Sequence, residues 1–408
     1  MKEFFNVKDI AEVLSLRGMF PQTETEEIAL DDAFGRVLAQ DIVSDSDLPD
    51  FQRSTVDGYA IRAASAFGAS EGSPAFLTVK GNILMGQTPD FSLKPGEAAR
   101  IPTGGMLPEG ADSVVMIEHT QVLDEKAIEV CKSGAPGQHV IEVGEDFRKK
   151  ESILFRGQTL RAAEAGLLAA FGQELIRVFR KPLISIISTG DEVVPVHQKP
   201  QRGQIRDINT YTLSSLVKES GAESLCFGIV QDNYDELLQT CTEALNRSDM
   251  VLISGGSSVG TRDFTIEVLS ALPDSEILVH GISVSPGKPT ILAKVGHKAF
   301  WGLPGHAVSA MVVFITIVRP FVRHISGFAP EYERAVRIPA RLSRNLASAQ
   351  GRTDFVRVRL REKDCQLEAE PVLGKSGLIN TMVRADGLIE IGRDTEGLNK
   401  GEIVWVTV

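Results

Sequence analysis

Apolar residues recur at helical spacing over residues 7–16, at Val7, Ile10, Val13 and Leu14, and predict an amphipathic helix with Asn6 as its cap. From residue 44 to 144 the texture changes to short β-type runs, 76–79, 113–117 and 127–130, punctuated by Gly and Pro turns. Helical spacing returns over 162–171, stopped by Gly172, and Arg180-Lys181-Pro182 marks a boundary. Beyond it, apolar runs at 183–187, 225–230 and 250–253 alternate with helical stretches at 210–220 and 234–246. Strand, helix, strand, helix, strand predicts a parallel sheet with right-handed crossovers. A helix over 264–272, β-type runs at 290–294 and 298–301, and a last helix from 306 to about 325 continue this unit. After Pro330 the helices stop, and runs at 336–342, 355–360 and 403–408 predict a small β domain. The expected fold class is multidomain α/β plus β. A central parallel-sheet α/β domain (180–328) is joined to an inserted mostly β domain (46–146), an N-terminal linker region (1–45 and 147–179) and a C-terminal β domain (332–408).

Composition narrows the function classes. The chain has 408 residues, 43% hydrophobic and 24% charged, enough for several buried cores. Lys plus Arg number 43 against 54 Asp plus Glu, a net charge of −11. That balance argues against a broad nucleic-acid or anionic-membrane surface, so any anionic ligand must be held locally. Cys131, Cys226, Cys241 and Cys365 lie far apart without a CxxC pair, which excludes a zinc ribbon and a disulfide framework and leaves buried free thiols as the expectation. The start, Met1-Lys2-Glu3-Phe4-Phe5, has no cationic segment followed by an apolar one, so a cytoplasmic address is expected. The longest stretch free of Lys, Arg, Asp and Glu, 299–318, is broken by Gly302, Pro304 and Gly305. The remaining 307–318 is shorter than the about 20 residues a membrane span needs.

In open parallel sheets, ligands bind beyond the carboxyl ends of the strands, where loops aim helix N-termini into a common space. Those loops are rich here in Asp, Asn, Ser and Gly: 188–192, Asp207-Ile208-Asn209, Gln231-Asp232-Asn233 and 254–263. Each alone reads more readily as helix capping, and only their convergence on one sheet edge points to a ligand. The Gly255-Gly256 pair with Ser257, Ser258 and Gly260 suits amides turned toward a phosphate, with Arg262 as counter-charge. It is neither a GxxxxGK[ST] loop nor a GxGxxG fingerprint, and 281–288 fails the ATPase pattern as well. Two further clusters, Ser54 to Ala60 and Ile101 to Gly105, sit in the inserted domain, and Gly144-Glu145-Asp146-Phe147-Arg148 adds two acids at its edge.

Taken in order, these residues resemble the molybdopterin molybdenumtransferases of molybdenum-cofactor synthesis, the family of gephyrin's enzymatic domain. The likeness rests on STVDGYA (54–60), IPTGGMLPEGADSVV (101–115), GEDF (144–147), STGDEV (188–193), GGSSVGTRDF (255–264), SPGKP (285–289) and GLPGHAVSA (302–310). The resemblance implies a molybdopterin-binding α/β domain and an enzyme that inserts molybdenum, from molybdate, into adenylylated molybdopterin with release of AMP and with Mg²⁺ involved. It implies a homodimer with the site between subunits, and a molybdopterin adenylyltransferase and molybdoenzyme maturation proteins as partners. Catalytic roles fall to Asp57, Thr103, Asp146 and Glu192; the vicinity of Mg²⁺ or molybdate falls to Asp57, Glu192 and Asp232. Cofactor contacts fall to Thr189, Gly190, Asp191, Asp207, Asn209, Asp232, Gly255, Gly256, Ser257, Ser258, Gly260, Asp263, Pro286, Gly287, Lys288, Pro304 and Gly305.

Carboxylates would repel phosphate and molybdate, so they must act through Mg²⁺, which bridges hard oxygens, or by accepting the paired N–H groups of a pterin edge. Lys288 and Arg262 then supply positive charge. The chain departs from the family pattern at Ser285, where a lysine often precedes the proline, and at His306-Ala307, where Asn-Pro often follows GLPG. The site loops contain no cysteine and no Ser, His and Asp set at suggestive spacing, so positioning and electrostatics must carry the reaction. Two alternatives stand beside this reading: a non-catalytic molybdopterin carrier or scaffold, and a related molybdopterin adenylyltransferase.

Overall fold

The computed structural model describes residues 7–255, 264–332 and 336–408. The chain forms two compact units, Met1–Gln40 with Arg156–Ala165 and Leu175–Val408, and Asp41–Phe155 with Gly166–Glu174.

The first unit is organised by a six-stranded sheet of β1 (Leu183–Thr189), β2 (Glu223–Val230), β3 (Met250–Ser254), β4 (Ser275–His280), β5 (Ile291–Val295) and β6 (Lys298–Leu303). The spatial order is β2-β1-β3-β6-β5-β4. Strands β2, β1, β3 and β6 run parallel, whereas β5 pairs antiparallel with β6 on one side and with β4 on the other. The expectation of a wholly parallel sheet is thus corrected to a mixed one. Only residues 295–297 separate the runs expected at 290–294 and 298–301, and a tight turn at 296–297 returns the chain antiparallel without a crossover. Strand β4 escaped the sequence reading because its apolar run, Ile277 to Val279, is short and sits between Glu276 and His280 in a partly exposed edge strand.

Helices α1 (Asn209–Glu219), α2 (Tyr234–Arg247), α3 (Phe264–Ala271) and α4 (Ala307–Ile325) cover both faces. One core joins Ile184, Ile186 and Leu252 to Leu213, Val217 and the apolar stripe of α4; the other joins Ile187, Val251 and Ile253 to Leu237, Cys241 and Val268. Burial on both faces explains why β1 and β3 read as continuous apolar runs rather than alternating ones. Helix α4 is continuous for 19 residues, long and apolar enough to cross a membrane, which corrects the length argument made from sequence. Its Phe314, Ile317, Phe321 and Val322 are instead fully enclosed, with the Phe321 ring edge-on to Trp301 at 5.0 Å. A wider π turn at Phe314–Val318 precedes Pro320, whose ring nitrogen has no hydrogen to donate to the preceding turn.

The N-terminal helix spans Ile10–Ser15. Its cap is Asp9 rather than Asn6, which lies outside the described residues: Asp9 accepts from the Glu12 amide and Glu12 accepts from the Asp9 amide. Strands Arg337–Leu342, Thr353–Lys363, Gln366–Pro371, Gly387–Ile391 and Ile403–Thr407 close into a small barrel, because Thr353–Lys363 pairs with both Gln366–Pro371 and Gly387–Ile391. Val284–Ser285 joins its edge beside Thr353 and Asp354.

The second unit carries a six-stranded sheet ordered Ser113–Met116, Gly58–Ile61, Glu97–Ile101, Ala75–Asn82, Ala127–Val130 and Thr120–Asp124. Tyr59 and Ile61 point into one small core, and Ala60 into another with Ile101 and Val114. The thiols correct a further expectation: Cys241 alone is buried, where desolvation pushes its thiol up to about 12, while Cys131 is half-buried and Cys226 and Cys365 are exposed.

Candidate functional site

The carboxyl ends of β1, β3 and β6 lie side by side, Ser188 opposite Ser254 and Ser254 opposite Leu303. The turns that follow open a cleft of about 1130 Å³. Of the residues assigned to cofactor contact, Thr189, Gly190, Asp207, Asn209, Asp232, Gly255, Pro286, Gly287, Lys288, Pro304 and Gly305 line it, as does Glu192. Asp191 stands just outside, and its Oδ1 accepts the Asp232 amide at 3.1 Å. Gly256, Ser257, Ser258, Gly260, Arg262 and Asp263 lie outside the described residues.

Close backbone approach shapes the cleft. A Cβ on Gly255, at φ +111°, would fall 2.3 Å from the Thr189 carbonyl oxygen; on Gly287, at φ +121°, it would fall 2.2 Å from Val313 Cγ2. Both turns require glycine. Beneath them runs a buried polar network. Ser188 Oγ lies 3.1 Å from Asp207 Oδ1 and 3.0 Å from Thr210 Oγ1, and Asp207 Oδ1 also accepts the Thr210 amide at 3.1 Å. That carboxylate oxygen is committed to holding the start of α1. Asn209 Nδ2 donates to the Gly305 carbonyl at 2.8 Å, tying α1 to the turn before α4, and leaves a buried Oδ1 with no partner among the described residues.

In the second unit, Asp57 and Thr103 come together from strands 46 residues apart. Ser54 and Gly105 share one backbone bond and Gly104 returns another to Ser54, which stitches the two turns side by side. Thr103 then donates to Asp57 Oδ1 twice, from its amide at 2.7 Å and its hydroxyl at 2.9 Å. These bonds, aided by the charge of Arg100, hold the Asp57 carboxyl below the usual carboxylate range. Gly58 locks the approach, since a Cβ there would sit 1.9 Å from the Val115 carbonyl oxygen. Asp146 belongs to a separate turn, its amide donating to the Leu48 carbonyl.

Comparison with known proteins gives this geometry a family. Three family descriptions match in order: "MoeA N-terminal region (domain I and II)" over residues 6–172, "Probable molybdopterin binding domain" over 185–324, and "MoeA C-terminal region (domain IV)" over 339–408. The chain is 33% identical over 390 residues to the molybdopterin molybdenumtransferase of Haemophilus influenzae, covering 95% of this chain and 94% of that protein. The chain belongs to the molybdopterin molybdenumtransferase family. It is also 34% identical to a putative molybdopterin biosynthesis protein of Methanocaldococcus jannaschii, over 94% of this chain and 92% of that one. A solved structure of the molybdopterin biosynthesis MoeA protein of Pyrococcus horikoshii superposes with a TM-score of 0.86 at 31% identity, covering 99% of this chain and 100% of that one.

Within this molybdenumtransferase-family fold, sequence reasoning missed the part of the cleft wall that the C-terminal barrel supplies. Gln350, Gly351, Arg352, Ser376 and Gly377 all face it, and Arg206, from the segment before α1, lines the cleft as well. Arg352 is held by Asp354, Nε to Oδ1 at 2.8 Å. The Gly351-Arg352 and Ser376-Gly377 pairs were the available signal, but polar turns in a β domain carry no mark of which cleft they face. His306 does not use its side chain as a cap; its Nδ1 lies 2.8 Å from Ser376 Oγ.

Among the described residues, no three His, Cys, Asp or Glu side chains converge as a ready-made metal site. The acids at the rim are nevertheless under strain from one another. Partial desolvation, then repulsion from Asp191 and Glu192, raises the Asp232 carboxyl above its ordinary value. A carboxyl raised on folding adds stability below its unfolded value and loses it as pH rises through the folded one. Asp232→Asn is therefore expected to raise the thermal midpoint slightly at pH 7 and not at pH 3. Mg²⁺ should stabilise the parent more than the variant, and a variant less stable than the parent at pH 7 would contradict the electrostatic account.

Proposed function

We infer that this chain is a molybdopterin molybdenumtransferase, transferring molybdenum from molybdate into adenylylated molybdopterin with release of AMP. The observation that carries the reading is a cleft at the carboxyl ends of parallel strands, inside a chain that matches the family from end to end. Its wall offers Lys288, Arg206 and Arg352 to anionic groups, and Glu192 and Asp232 to a cation or a pterin edge. Repulsion among Asp191, Glu192 and Asp232 would be relieved by a Mg²⁺ ion that also takes oxygens of the ligand, and the resemblance implies Asp57 in its vicinity. When bound, Mg²⁺ supplies hard positive charge between carboxylate and phosphate.

The chain's own residues bind and orient. Gly255 and Gly287 let the cleft turns pack tightly against Thr189 and Val313, Lys288 attracts the oxyanion, and Asn209 fixes the Gly305 turn. Thr103 keeps Asp57 ionised and aimed. No nucleophilic side chain is needed, because holding the dithiolene and the oxyanion together removes most of the entropic barrier. The active form in this reading is a cytoplasmic homodimer with the site between subunits, as the resemblance implies; an adenylyltransferase would deliver the substrate and molybdoenzyme maturation proteins receive the product.

Purified protein given adenylylated molybdopterin, molybdate and Mg²⁺ should release AMP and yield a molybdenum-loaded pterin. Tight pterin binding without AMP release would sink the transferase reading in favour of a carrier, and sedimentation as a monomer under assay conditions would remove the shared site.

A further inference from the structure

We propose that His306 and Ser376 form a proton-operated switch that sets the affinity of the cleft for a tetrahedral oxyanion. The inference rests on the proposed function, in that it takes the cleft to receive such an anion. Its basis is the contact of His306 Nδ1 with Ser376 Oγ at 2.8 Å, between two side chains that both line the cleft. The pair is braced from both sides. The Val308 amide donates to the Ser376 carbonyl at 3.2 Å, and Arg357 Nη2 donates to the Gly374 carbonyl at 3.0 Å. A Cβ on Gly377 would lie 3.9 Å from His306 Cδ2, so this turn packs beside the ring.

An imidazole changes charge between about pH 5 and 8. With its proton on Nε2, the neutral ring accepts at Nδ1, and the Ser376 hydroxyl donates to it. Ser376 then has only lone pairs to offer an anion. Protonation reverses the bond: Nδ1–H donates to Ser376 Oγ, and the hydroxyl proton becomes available to an oxyanion while the ring adds one positive charge. One proton comes from solvent for each anion bound to an initially neutral ring, and no covalent bond to the anion forms or breaks. Glu192, Asp207, Asp232, Arg206, Lys288 and Arg352 line the same cleft, and Lys375 flanks Ser376. Carboxylates, ammonium and guanidinium groups ordinarily titrate outside that window. Asp232, raised by its surroundings, is the group whose contribution the controls must isolate.

The free oxyanion and the phosphate of a nucleotide-pterin share this chemistry, so the test separates them. Sulfate, a dianion throughout the range, is titrated calorimetrically into the full chain at pH 5.5 and 8.0, in buffers of differing ionisation enthalpy. Binding is expected to be about tenfold tighter at pH 5.5, with fractional proton uptake per anion that is largest between the two pH values, and reciprocally sulfate should raise the His306 titration midpoint seen by NMR. His306→Asn, which keeps a side-chain hydrogen bond to Ser376, should bind with little pH dependence, and Ser376→Ala should retain part of it. Displacement of sulfate by molybdate or by AMP supports the switch, and the displacing ligand names the source. Equal affinity at both pH values, an unchanged pH dependence in His306→Asn, absence of sulfate binding, or displacement by neither ligand overturns it. Because sulfate binding is read without turnover, a flat profile in a chain that still releases AMP rejects the switch alone. Failure of AMP release rejects the proposed function.

Discussion

Gly287→Val is expected to destabilise the first unit by about 3–5 kcal/mol and to abolish AMP release. Two separate costs meet at this position. The backbone sits at φ +121°, outside the range a β-branched residue adopts, and the new Cβ would fall 2.2 Å from Val313 Cγ2 in the fully buried face of α4. Neither side can yield easily, because Thr290 Oγ1 holds the Gly287 carbonyl at 2.6 Å and Val313 belongs to the main core. The measurement is urea unfolding followed by tryptophan fluorescence, since both tryptophans, Trp301 and Trp405, lie in this unit. Gly401→Ala is the control: φ is +85° there with open space around the Cβ, so the backbone cost of about 1–2 kcal/mol stands alone. A Gly287→Val midpoint no lower than that of Gly401→Ala would show that the close approach to Val313 is not what demands glycine.

Asp57→Ala and Asp57→Asn should each lower molybdenum insertion about 100- to 1000-fold, mainly in kcat, if the carboxylate acts by its charge at the reacting centre. The asparagine variant is the sharper one, because its amide oxygen still accepts from Thr103 and leaves the turn intact. Thr103→Ala should cost less, about tenfold, since the amide at 2.7 Å remains when the hydroxyl is removed. The pH profile adds an independent check. Thr103 and then Arg100 hold Asp57 below the usual carboxylate range, so its charge persists above the ordinary value of about 4 and fades only as pH falls through the depressed one. The parent enzyme should therefore show no acid limb above pH 5 that disappears in Asp57→Asn. Undiminished insertion in both Asp57 variants would remove this residue from the site.

Much of the α/β unit was legible because its helices carry their cores at regular spacing and its buried strands are continuous apolar runs. Predicted stretches at 210–220, 234–246 and 264–272 became Asn209–Glu219, Tyr234–Arg247 and Phe264–Ala271, no boundary moving by more than one residue. The errors came where a local pattern has two three-dimensional solutions. The hairpin of β5 and β6 turned the sheet mixed and the edge strand β4 went unread, whereas the helix expected from 306 to about 325 is present as Ala307–Ile325 and continues through a π turn that no propensity marks. The missed cleft wall has the same origin: Arg352 and Ser376 reach it because Val284–Ser285 pairs with Thr353 and Asp354, 69 positions further along the chain.

The sequence by itself determined which segments are helix or strand, that several cores are buried, and which glycine- and acid-rich turns carry the family's chemistry, because each of these is written in short-range spacing. Tertiary structure decided which of those turns share a cleft, that Asp207 and Asn209 serve α1 and the Gly305 turn, that Thr103 anchors Asp57, and that His306 meets Ser376. Such contacts join residues tens of positions apart, and their partners are chosen by sheet register and core packing, which no local window contains.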